Sequence, residues 1–137
     1  MATTKNEGSA SVEKVVDYLR CTGGFATALQ QVAGRQLAVK AAAEKGLAVS
    51  DEELQRASDA WRAVNGLFNA SDTNKWLENS GLTIDKYEAY LETNLLIFKL
   101  KQALASEAEI EKIFTDPQYK EAATELLYAD WLASAVK

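Results

Sequence analysis

The chain reads as an all-α protein, and three features of the sequence say so. Apolar residues recur at three- and four-residue spacing through almost every segment. Those segments are punctuated by helix caps and glycines. Strict apolar/polar alternation, the mark of a half-buried strand, is nearly absent, and the 137 residues hold a single proline.

Residues 1–9 are small and polar and are expected to form a disordered tail, with a single helical domain over 10–137. From Ser11, the apolar set Val12, Val15, Val16 and Leu19 predicts an amphipathic helix. Gly23 and Gly24 break it, because each costs about 1 kcal/mol inside a helix. A longer helix over Phe25–Lys45 follows, rich in alanine. Gly34, beside Ala33 and Ala38, predicts close approach of another helix, and Gly46 stands where a left-handed C-cap belongs. Ser50 and Glu53 spell a capping box for a third helix, which presents Leu54, Ala57, Trp61 and Val64 on one face and ends near Asn65-Gly66.

A short helix over Asp72–Asn79 is expected, with Ser71 as its cap, Trp76 and Leu77 inward, and Gly81 as its stop. Thr83 caps a long helix with one stripe through Ile84, Tyr87, Leu91, Leu95, Phe98 and Gln102. The neighbouring stripe runs through Tyr90, Asn94, Ile97 and Lys101. Two C-terminal helices complete the chain over 106–136. Ser106 and Glu109 spell a second capping box for Ser106–Phe114, and Pro117 opens Pro117–Ala135 with Tyr119, Ala122, Leu126, Leu127, Trp131 and Leu132 as its apolar set. The expected architecture is a compact bundle of six or seven helices.

Composition removes whole classes of chemistry. There is no histidine, so no imidazole can serve as base, nucleophile partner or metal ligand. Cys21 is the only cysteine and can form neither an internal disulfide nor a thiolate zinc site. It reads as an incidental thiol. Glu52, Glu53, Glu107, Glu109 and Glu111 read as helix-start chemistry rather than a metal or acid–base set. Fifteen Lys and Arg against twenty Asp and Glu leave a net charge of −5, which argues against nucleic acid as a partner. No phosphate-binding GxxxxGK[ST] motif is present. No catalytic residue, metal or cofactor is therefore assigned. The longest apolar run, around Leu95–Phe98, is too short to span a bilayer, and no apolar segment follows Lys5 as a secretory signal requires. Membrane insertion is not expected, and a cytoplasmic location is.

The ordered series of segments resembles a known family. Ala43-Glu44-Lys45-Gly46-Leu47-Ala48-Val49-Ser50-Asp51-Glu52-Glu53-Leu54 is similar to a passage of the SurA/PpiD/PrsA-type chaperone domains. The similarity continues through Gly66-Leu67-Phe68, Ser71–Leu77, Ser80–Tyr87 and Leu91–Leu100, and the family-like region covers 36–104. The resemblance implies a helical chaperone domain of the kind that precedes a parvulin-type prolyl isomerase domain. After Leu104 only 33 residues follow, helical in pattern and without histidine. Prolyl isomerase activity is accordingly not expected.

The resemblance and the aromatic clustering together point to a non-enzymatic chaperone or escort module for an unfolded or precursor peptide. Its candidate binding residues are Trp61, Phe68, Trp76, Tyr87, Tyr90, Asn94 and Phe98. Tyr and Trp combine an apolar body with a polar tip, which suits a wet groove. Two other readings stand beside it. One is a small enzyme or ligand-binding protein using the helical cradle as a pocket, for which Asn94, Gln36 and Asp17 beside Tyr18 are the polar candidates. The other is a homodimeric scaffold subunit.

Overall fold

The computed structural model describes the backbone of residues 4–136 and the side chains of residues 11–136. Among the described residues there are seven helices and no strand: α1 (Thr4–Thr22), α2 (Gly24–Glu44), α3 (Asp51–Val64), α4 (Ala70–Ser80), α5 (Ile84–Glu107), α6 (Ile110–Ile113) and α7 (Pro117–Ala135). The all-α expectation holds. Helix α1 begins at Thr4, inside the segment expected to be a disordered tail; Lys5, Glu7 and Ala10 are good helix formers and no proline interrupts them. Residues 1–3 of that tail lie outside the described residues.

The chain divides into two compact units, Met1–Gln36 and Leu37–Lys137. In the first, Gly23 takes a left-handed φ of +80° between α1 and α2, and Thr27 N–H reaches back to its carbonyl. A Cβ at the following Gly24 would stand 2.9 Å from Leu19 Cδ2, so that side chain would have to turn aside. The Arg20 guanidinium lies 5.8 Å over the Phe25 ring and also bonds Asp17. Val12, Val15, Tyr18, Leu29 and Val32 are exposed in this unit.

The second unit is organised by α5. Its hydrophobicity goes almost all round because it is packed on more than one side, by α3, α6 and α7. Toward its N-terminus, Tyr87 and Leu91 join Leu77 of α4 in a buried cluster, with Leu54, Trp61 and Trp76 packed against it. Further along, Leu96 and Leu100 are buried, as are Ile110 of α6 and Ala38 and Ala42 of α2. The long stripe expected from Ile84 to Gln102 is a core face only in part: Tyr87 and Leu91 are buried, Ile84 and Phe98 are half exposed, and Leu96 and Leu100, off the stripe, lie inside.

Local chemistry explains the boundaries. Ser50 Oγ accepts from Glu53 N–H at 3.1 Å, and Glu53 Oε1 accepts from Ser50 N–H at 3.0 Å, completing the capping box. Thr83 caps α5 as expected. Helix α4 starts two residues earlier than expected, because Asn69 rather than Ser71 is the cap, accepting from Asp72 N–H at 2.9 Å. Gly81 at φ +74° donates to Glu78, and Leu82 N–H reaches Leu77, a left-handed helix stop.

The second expected capping box does not form. Ser106 lies within α5, which runs on to Glu107, and Glu109 adopts a left-handed φ of +55° ahead of the single turn of α6. Pro117 opens α7 as expected, with Asp116 capping it. Helix α7 is held to α5 by Lys101, whose ammonium bonds both Glu125 oxygens and lies 4.9 Å over the Tyr128 ring. The expected apolar set of α7 splits: Leu127, Trp131 and Leu132 are half-buried, whereas Tyr119, Ala122 and Leu126 face solvent.

Candidate functional site

Three of the candidate residues form one aromatic cluster. The Trp61 ring lies 4.8 Å from Trp76 and 5.3 Å from Tyr87, and Trp76 lies 6.0 Å from Tyr87, all in tilted or edge-on geometries that suit ring quadrupoles. Tyr87 is only 3% exposed, and its hydroxyl is 2.9 Å from Ser58 Oγ. It is a core residue that fixes α5 to α3 and α4. Its neighbour Tyr90, one turn on, is half exposed. The two tyrosines differ because only one side of α5 meets the α3–α4 cluster.

On the far side of that cluster α3 and α5 leave an open groove. It consists of two adjoining depressions that share Ala57 and Leu95 as lining residues. One, of about 410 Å³, is lined by Ala57, Ala60, Trp61, Val64, Asn65, Leu91, Asn94 and Leu95. The other, of about 320 Å³, is lined by Glu53, Arg56, Ala57, Leu95, Phe98, Lys99 and Gln102. Trp61, Asn94 and Phe98 thus come together in one groove, as does Val64, which is 86% exposed. Alanines at 57 and 60 keep the α3 wall low, and the Trp61 ring stands above the Tyr87 core.

Trp76, the third ring of the cluster, is half-buried, and Phe68 is exposed in the turn between α3 and α4. Phe68 and Tyr90 line neither depression. The sequence pattern puts Val64 on one face of α3 with Leu54, Ala57 and Trp61. In the structure Leu54 and Trp61 pack on the core, and Ala57, Trp61 and Val64 line the groove.

The polar end of the groove is fixed by Lys99. Its ammonium donates to the Ala48 carbonyl at 2.6 Å and to Glu53 Oε1 at 2.9 Å. The Glu53 carboxyl is held down at about 2, first by the Lys99 hydrogen bond and then by the Ser50 backbone N–H; its partial desolvation opposes this. The pair ties the loop before α3 to the middle of α5, so the side chain next to Phe98 is a fixed charge.

A second, polar cleft of about 400 Å³ lies on the other face of α3, lined by Asp51, Gln55, Ser58, Arg62, Thr73, Asn74, Tyr87 and Glu88 among others. Its arginine is engaged, with Nε donating to Thr73 Oγ1 at 2.9 Å and Nη1 facing Asp59. The other singled-out carboxylates do not converge: Glu107 pairs with Lys45, Glu109 with Lys112 and Glu111 with Lys120. Cys21 is exposed, in the unit that does not contain the groove.

Fold and groove define a class, a small all-helical module with an open, largely apolar groove between two packed helices. The family model of the SurA-like N-terminal domain matches residues 9–101, about two thirds of the chain, and the chain belongs to that family. No curated protein and no solved structure matches it. Every groove residue except Gln102 falls within the matched range, whereas α6 and α7 lie beyond it. The chain is a chaperone-like helical module of the SurA family. No helix among the described residues is long and apolar enough to cross a membrane.

Proposed function

We propose that this module holds apolar segments of unfolded or precursor polypeptides in the α3–α5 groove, without nucleotide and with release through weak affinity. The observation that carries the reading is the groove itself. Trp61, Val64, Leu91, Leu95 and Phe98 line a trough that is open to solvent and bordered by Asn65, Asn94, Arg56 and Gln102. Open apolar surface rimmed by polar groups is what an amphipathic helix or an extended apolar segment needs. Amides at the rim can meet a client's backbone whatever its sequence, which suits loose selectivity.

The test is a titration of a fluorescently labelled apolar peptide, followed by anisotropy, alongside suppression of aggregation of a chemically denatured protein. Phe98→Ser and Val64→Ser each remove an exposed anchor, and each is expected to weaken binding by about tenfold, equivalent to about 1.4 kcal/mol. Ile113→Ser, exposed and outside the groove, is expected to change nothing. Unchanged affinity in the Phe98→Ser, Val64→Ser double variant, with its helix content intact, overturns the assignment of the groove.

A further inference from the structure

We infer, resting on the reading of the groove given above, that the α3–α5 groove selects apolar segments flanked on one side by an Asp or Glu, and that Arg56 recognises that carboxylate. The two helices run in opposite directions along the groove. Ala57 of α3 shares one depression with Phe98 and Gln102 of α5, and Trp61 and Val64 share the other with Leu91 and Asn94. The two ends differ in charge. All three charged lining residues, Glu53, Arg56 and Lys99, belong to the depression near the start of α3, and the polar side chains of the other are amides, Asn65 and Asn94.

Of the three charges only Arg56 is uncommitted. The Glu53 carboxylate accepts from the Ser50 N–H and from Lys99, and the Lys99 ammonium also donates to the Ala48 carbonyl. The Arg56 guanidinium, exposed at the edge of the groove, makes no hydrogen bond, ion pair or ring contact among the described residues. Glu52 and Asp59, one turn to either side of it on α3, line neither depression, and Asp59 is engaged by Gln55 and Arg62. The lining therefore holds two cations against one anion, in a chain whose net charge is −5. A planar fork of N–H donors matches a carboxylate through two parallel bonds, which neither an amide nor an ammonium on the client offers. Eight residues of α3, about 12 Å, separate Arg56 from Val64, the length of about four extended residues. Internal segments far outnumber chain ends in an unfolded polypeptide, so the carboxylate belongs to a side chain. At physiological salt a screening length of about 8 Å confines the effect to this contact, whereas the acidity of the whole chain would favour the opposite, basic flank.

The experiment is an anisotropy titration of the full chain against leucine-rich peptides that carry an uncharged dye and blocked termini. The peptides differ only in one flanking residue, Glu, Gln or Lys, placed at either end because a guest backbone can lie in the groove in either direction. At physiological salt the Glu peptide of one orientation is expected to bind about threefold tighter than its Gln counterpart and about tenfold tighter than the Lys one, the scale of an exposed ion pair. The preference is expected to vanish in 1 M salt. Arg56→Gln should bind all three alike, and Arg56→Glu should prefer Lys, both with unchanged melting temperature. Lys112→Gln, which removes the same charge outside the groove, should keep the preference for Glu. Equal binding of the three peptides by the original chain, a preference for Lys, or a Glu preference that survives Arg56→Glu overturns the inference. Equal binding that is still lost in Phe98→Ser removes this inference and leaves the groove reading standing, whereas no binding of any peptide removes both.

Discussion

Tyr87 and Phe98 stand on the same helix, and exchanging one atom or one ring at each should separate stability from binding. Tyr87→Phe deletes a hydroxyl that sits 2.9 Å from Ser58 Oγ and 3.4 Å from the Ser58 carbonyl, in a partly buried setting. The ring stays against Trp61 and Trp76, so only the hydrogen bond is lost, which costs about 1 kcal/mol. For a chain of this length that corresponds to a fall in Tm of about 3–5 °C. Tyr87→Ala also removes a ring that is almost fully buried, and is expected to cost about 3–5 kcal/mol, the range for emptying an aromatic core site. The assay is urea unfolding followed by tryptophan fluorescence, since Trp61 and Trp76 both touch Tyr87. The midpoint should fall in the order Phe before Ala with the slope unchanged in Tyr87→Phe, and peptide affinity at 10 °C should stay within twofold of the original. A Tyr87→Phe chain of unaltered stability but weakened peptide binding would refute the placement of Tyr87 in the core and the groove on the other side of it.

Other expectations follow from single contacts. Because the Glu53 carboxyl is held at about 2 in the folded chain, against an ordinary value near 4.5, its contribution to stability is full above about pH 4.5 and is lost as pH falls toward 2. Urea midpoints measured across that window should fall less steeply in Lys99→Met than in the original chain. Asn69→Ala should destabilise by about 1 kcal/mol, whereas Ser71→Ala should stay within about 0.5 kcal/mol, a contrast that calorimetry resolves. Glu109→Gly should raise the melting temperature, by roughly 0.5–1 kcal/mol of stability, since a side chain at φ +55° is strained and the salt bridge it gives up to Lys112 is exposed.

The parts of this fold that were legible in the sequence are those decided within a few residues. Ser50 with Glu53, Thr83, and Asp116-Pro117 announce helix starts through side chains that meet backbone amides one turn away, and the structure has each of them. Asn69 and Ser71 show the limit of that reasoning. Both can cap, and which one does depends on where the chain leaves α3 after Gly66. Ser106-x-x-Glu109 has the letters of a capping box, but nothing from Leu100 to Ala105 breaks a helix, so α5 passes through it. On α5 itself, periodicity found Tyr87 and Leu91 but failed further along the helix for a physical reason. A helix covered on several sides has no single apolar face, so Leu96 and Leu100 could not be told from Leu95 and Phe98 by spacing. For the candidate site, Trp61, Asn94 and Phe98 fall in the groove, but Tyr87 and Tyr90, three residues apart and chemically identical, could be told apart only by what packs on each.

The extent of α5 also separates kinship from self-sufficiency. The family match ends at residue 101, in the middle of a helix that continues to Glu107 and is about 36 Å long. A chain cut at that boundary would keep most of the groove, yet it would strip α6 and α7 from the flank of Leu96 and Leu100 and leave Lys101 without Glu125. The portion inherited from the family and the portion able to stand as a folded body thus have different edges. The C-terminal 36 residues brace α5 from beyond the family match, and changes in α7 should be felt in the groove as altered stiffness of the helix they share.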